Sequence, residues 1–126
     1  MELDLQLVRA LLAQIDRQPQ RDNFIDLSIA GYDVEKISDH VRLLDGLGYV
    51  NANAVWTSQG EVWKSVTITW IGADFLTRAR DDVAWERAKE LIKRGVVSDP
   101  QVELEVFRRL LHVCAGESPP PDNPPS

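Results

Sequence analysis

Apolar residues in the segment GYDVEKISDHVRLLDGLGYV, Gly31 to Val50, fall at Val34, Ile37, Val41, Leu44 and Leu47. That spacing places them on one face of a helix of about four turns and leaves the charged residues on the other. Asp33 stands where an N-cap is needed. Gly46 and Gly48 allow the chain to leave the helix through a left-handed residue. From Tyr49-Val50 onward the hydrophobic period changes from helical to two, which predicts a strand. A second alternating run follows, and a turn centred on Ser58-Gln59-Gly60 sets the two runs against each other. In that register Val50 opposes Ile68, Ala52 opposes Val66 and Trp56 opposes Val62 on one face. Asn51 opposes Thr67, Asn53 opposes Ser65 and Val55 opposes Trp63 on the other. A slip of one residue would mix the two sets. Lys64, opposite Ala54, is the one polar residue on the apolar face.

The flanking segments extend the pattern. Leu3, Leu5, Leu7, Val8, Ala10, Leu11, Leu12 and Ile15 predict a first helix with a wide apolar face, ended by the polar, proline-containing stretch from Gln18 to Asn23. Phe24 to Ile29 has room only for a strand or a single turn. Thr69 can cap a helix whose apolar face is Gly72, Phe75, Leu76, Ala79 and Val83. Past Arg80-Asp81-Asp82 the stripe shifts phase to Trp85, Ala88, Leu91 and Ile92. Either the helix breaks at the aspartates or it meets a second surface, and Gly95 ends it. Asp99-Pro100 starts a last helix reaching about Cys114, with Val102, Val106, Phe107, Leu110, Leu111 and Val113 as its apolar positions. A helix running into a hairpin, with helices before and after, is an α+β, mostly α, winged-helix-like architecture with a two-stranded wing and extra C-terminal helices. It is expected to occupy residues 1–115. The remainder, GESPPPDNPPS, is a proline-rich tail, 116–126, that cannot bury a core.

Composition narrows the functional classes. The 126 residues are expected to share a single core. With 14 basic and 20 acidic residues the chain carries a formal charge of −6, which opposes general attraction to phosphates. No stretch has the pattern of a signal peptide or membrane span, so a cytoplasmic protein without membrane attachment is expected. Cys114 is the single cysteine. His112 lies two residues from it, on a different face of the helix, which suits neither a metal site nor a Cys-His dyad. His40 borders the apolar stripe of its helix, where a buried, hydrogen-bonded histidine is the simplest role. Asp81-Asp82 suits a helix cap. With no phosphate-binding loop, nucleophile elbow or metal-spaced cluster, neither an enzyme nor a cofactor is expected.

Four segments in order resemble a family of short bacterial and prophage proteins known as a domain of unknown function. They are LQLVRALLAQID (Leu5 to Asp16), IAGYDVEKISDHVRLLDGLGYV (Ile29 to Val50), ITWIGADFL (Ile68 to Leu76) and RDDVAWERAK (Arg80 to Lys89). The chain departs from the family pattern at Ala73-Asp74, where a His-Glu pair is usual. The resemblance implies a winged-helix-like fold and a phage or mobile-element setting; it supplies no activity.

Two binding modes remain. Duplex DNA would use the helix 33–47 and the wing 56–63, with Glu35, Lys36, Asp39, Arg42, Trp56 and Lys64 at the contact. On that helix Asp33, Glu35, Asp39 and Asp45 outnumber Lys36 and Arg42, so charge disfavours it. A host or phage protein partner is the preferred expectation, with Val55 and Trp63 as an apolar pair on the outer face of the wing. The stripe Val102, Val106, Leu110 and Val113 is a candidate for pairing between two copies of the chain. The competing expectation is that the last helix is buried in a groove of its own domain.

Overall fold

A computed structural model describes residues 2–17, 27–58, 60–93 and 99–115. It contains α1 (Leu5–Arg17), α2 (Val34–Gly46), β1 (Val50–Thr57), β2 (Gly60–Ile68), α3 (Trp70–Ala79), α4 (Asp82–Lys93) and α5 (Pro100–Cys114). The architecture is α+β and mostly α, with a wing-like antiparallel hairpin. Contacts divide it into two compact units, 3–76 and 77 onward, where a single core is expected from length. The expected linker at 18–23, residues Phe24 to Asp26 of the short apolar segment, Gly95 and the tail 116–126 lie outside the described residues.

In the first unit, α1 buries Leu7, Val8, Leu11, Leu12 and Ile15 and contacts both α2 and β2. Helix α2 begins as predicted, with the Asp33 carboxylate accepting from the Lys36 N–H at 2.7 Å. It ends in a Schellman motif: Gly48, at φ 83°, donates to Asp45 O, and Tyr49 donates to Leu44 O. Val34 is an exception to the predicted stripe. It occupies the first helical position and is 75% exposed, while Leu43 joins Ile37, Val41 and Leu44 in the core.

The exit from α2 sets the start of α3. The Thr69 hydroxyl donates to the carbonyls of Gly48 and Tyr49, and it accepts from the Gly72 N–H at 3.2 Å as the predicted cap. Gly72 allows the close approach, since a Cβ there would lie 2.1 Å from Tyr49 O. Tyr49 and Phe75, both buried, have ring centroids 5.4 Å apart.

The hairpin follows the predicted register from Val50–Ile68 to Asn53–Ser65 and then departs from it. A bulge at Lys64 makes Ala54 oppose Trp63, Val55 oppose Val62 and Trp56 oppose Glu61. The physical reason is the one misfit of a regular ladder, Lys64 on the apolar face. The extra residue leaves Lys64 exposed and turns Trp63 onto the face of Val66, where it is 8% exposed. The expected outer pair of Val55 and Trp63 is thereby corrected to Val55 and Val62.

In the second unit the helical run breaks at the aspartates. Asp81 caps α4, accepting from the N–H groups of Val83 and Ala84, each at 3.1 Å. Val83, expected to continue the α3 stripe, instead starts α4 and is 79% exposed. Asp99 caps α5 with Pro100 in the first turn. Helices α4 and α5 pack together, with the Trp85 and Phe107 rings edge to face at 4.9 Å. The buried residues of α5 are Leu104, Phe107, Leu111 and His112. Of the candidate stripe on α5, Val102 and Val113 are 50% and 51% exposed, and Val106 and Leu110 are half-buried.

Candidate interaction surface

Basic residues on α2 carry the DNA reading, and their side chains are committed within the chain. Lys36 Nζ lies 3.1 Å from Asp4 Oδ2 and 5.2 Å from the centroid of the Tyr32 ring. Asp4 also caps α1, accepting from the Leu7 N–H at 3.1 Å. Burial alone would raise the Asp4 pKa. The Leu7 N–H, followed by Lys36 and Tyr32, reverses that effect and holds the carboxyl below its ordinary value. The Tyr32 hydroxyl moves the other way, raised by burial and then by the Asp4 charge.

His40 completes the tie between α1 and α2. Its Nδ1 lies 2.8 Å from Lys36 O, and its Nε2 accepts from the Asp4 backbone N–H at 3.0 Å. The proton therefore resides on Nδ1, and main-chain groups occupy both ring nitrogens. The buried ring ties together two helices whose contacting residues are 36 apart in sequence.

Arg42 is held 3.4 Å from Asp39 and lies 6.0 Å above the centroid of the Trp63 ring. Such a placement over an indole face is favourable. Lys64 and Glu35 are exposed, and Asp45 accepts from the Ala52 N–H at 3.0 Å. The outward surface of α2 thus presents Asp33, Val34 and Glu35 beside two basic groups already facing acidic partners.

On the hairpin, Asn53 Nδ2 donates to Ser65 Oγ at 3.0 Å, as the paired polar positions predict. Val55 is half-buried and Trp56 is 79% exposed. Trp70, at the first turn of α3, is 76% exposed. Thr69 and Gly72 mark a helix start in the sequence without specifying which first-turn side chain is covered, so the exposure of Trp70 emerges only in the fold. Among the described residues no group of three or more His, Cys, Asp or Glu side chains is placed to hold a metal ion, and no helix is long and apolar enough to cross a membrane.

The family described as "Hypothetical protein (DUF2513)" matches residues 2–98. The chain belongs to that family. Its match spans the hairpin unit and α4, so Tyr32, His40, Thr69, Gly72, Asp81 and Trp85 all lie in the DUF2513 region. An "Uncharacterized protein" of Haemophilus influenzae (strain ATCC 51907 / DSM 11121 / KW20 / Rd) is 27% identical over 94 residues, covering 74% of this chain and 80% of the relative. No solved structure matches the chain. Within this DUF2513 chain several residues of the matched region have direct structural work: caps at Thr69 and Asp81, close approach at Gly72, and core packing at Trp85. Trp70 is in the same segment with its side chain largely in solvent.

Proposed function

We propose that the chain is a non-catalytic, winged-helix-like regulatory module that acts by binding another protein, through apolar groups on the hairpin unit. The observation that carries this reading is the division of its four tryptophans. Trp63 and Trp85 are core residues at 8% and 0% exposure, whereas Trp56 and Trp70 stand 79% and 76% exposed. A large apolar ring left mostly in solvent adds little burial to the folded chain, and tryptophan is enriched among the residues that anchor protein interfaces. The acidic outward face of α2 and the commitment of Lys36 and Arg42 favour a protein surface over a phosphate backbone as the counterpart. The phage or mobile-element setting implied by the sequence resemblance fits an adaptor or inhibitor acting on a host or phage protein in the cytoplasm.

The test is affinity capture from nuclease-treated host lysate with the wild-type chain, Trp56→Ala and Trp70→Ala. A partner retained by the wild type and lost by at least one variant, with both variants melting within a few degrees of wild type, is the expected result. Capture that depends on nucleic acid, or that ignores both substitutions, would refute the reading.

A further inference from the structure

Helix α5 packs on α4, with Phe107 against Trp85, and buries Leu104, Phe107 and Leu111, whereas its Val102 and Val113 are 50% and 51% exposed and its Val106 and Leu110 are half-buried. At 100° per residue these four lie within about 80° of one another, so they form a single stripe on the side away from the buried one. We propose that this stripe is an interface with a second copy of the chain, with the two α5 helices antiparallel across a two-fold axis near residue 108. The inference is independent of the hairpin reading, since it uses a different surface.

The order of residues selects that occupant. From the N-terminal end the stripe steps by four, four and three residues; from the C-terminal end it steps by three, four and four. An antiparallel copy therefore sets Val102 against Val113 of its partner and Val106 against Leu110, staggered by no more than one residue, as interdigitating side chains require. Flanking charges obey the same symmetry. Glu105 and Arg109 lie on one border of the stripe, and the two-fold axis sets Glu105 of each copy opposite Arg109 of the other. Within its own chain Glu105 is only loosely held, 3.8 Å from Arg108. On the other border Glu103 faces Cys114 across the pair. A parallel pair would instead bring the Glu105 border of each copy against the Glu103 border of the other, carboxylate against carboxylate, so charge selects the antiparallel arrangement.

A single pair of 15-residue helices buries less than the roughly 1,200 Å² typical of stable complexes, so association in the micromolar range is expected. Sedimentation equilibrium of the full chain up to high micromolar concentration should show reversible dimerisation. Val106→Asp with Leu110→Asp should weaken it about a hundredfold and leave the helical circular dichroism unchanged. Glu105→Arg alone should weaken it several-fold, and adding Arg109→Glu should restore it, since the swapped charges again face each other. Glu103→Cys should oxidise readily to a disulfide-linked dimer through Cys114 of the other copy, whereas the wild type should not. A wild-type monomer at every concentration would overturn the proposal. So would failure of the double charge swap to rescue, or faster disulfide dimerisation of the wild type than of Glu103→Cys.

Discussion

At the scale of single residues, two positions concentrate the strain and the charge on which the hairpin unit depends. Gly72 has no room for a side chain: a Cβ would meet Tyr49 O at 2.1 Å, and that carbonyl is fixed by the N–H and hydroxyl of Thr69. Gly72→Ala should therefore destabilise the chain by about 2–3 kcal/mol or more in urea unfolding, despite alanine's higher helix propensity. An alanine variant as stable as wild type would show that the α3 contact relaxes freely. Asp4 is the second such position. Its carboxyl is held below the ordinary value in the folded chain, so the unfolded chain takes up the proton first as pH falls. The resulting stabilisation is complete above the unfolded value and is lost as pH drops through the lowered, folded one. Asn replaces Asp well as an N-cap but cannot pair with Lys36. Asp4→Asn should consequently lower stability at neutral pH and flatten its loss on the acid side below about pH 4, whereas Asp4→Ala should lose the cap as well. Chemical unfolding at a series of pH values separates the three.

Secondary-structure elements were legible wherever their signals are local. Asp33, Thr69, Asp81 and Asp99 cap helices because a short polar side chain can reach N–H groups two or three residues ahead, and that requirement is written in adjacent positions. Partners distant in sequence were not legible. Lys36 reads as a candidate phosphate contact until Asp4, 32 residues away, is brought beside it. Leu104 is fully buried although the pattern of α5 alone does not single it out, since the side of a helix that is covered depends on elements distant in sequence. The hairpin shows the boundary between the two cases. Alternation located both strands and paired the first four positions, but it assumes an unbroken ladder, and the bulge at Lys64 reverses every face beyond it. Removing Lys64 should therefore leave a regular ladder in which Asn53–Ser65 and Ala54–Trp63 persist. The deletion variant is expected to fold with Trp63 still buried and to lose less than about 1 kcal/mol, whereas Trp63→Ala should cost about 3–5 kcal/mol. Thermal and urea unfolding of both variants would check this, and an unfolded deletion variant would show that the bulge itself is required.

For the molecule as a whole, net charge and the commitment of individual bases point the same way. A formal charge of −6 sets an unfavourable long-range field for any polyanion. Local clusters can overcome such a field, so the arrangement on α2 decides the matter. There Lys36 faces Asp4 and Arg42 faces Asp39, and engaging a phosphate would require breaking pairs already made. Exposed Lys64 adds one cation on the hairpin, where a duplex-binding surface ordinarily gathers several. The chain should therefore have no measurable general affinity for random duplex DNA at physiological salt. Fluorescence anisotropy of a labelled duplex, titrated at several salt concentrations, provides the check. Each phosphate neutralised would contribute a slope of about −0.9 in log affinity against log salt, so even a weak electrostatic contact would show as binding that strengthens steeply when salt is lowered. Micromolar affinity with such a slope would mean that Lys36 and Arg42 exchange their carboxylate partners for phosphates, and it would transfer the working surface from the exposed tryptophans to α2.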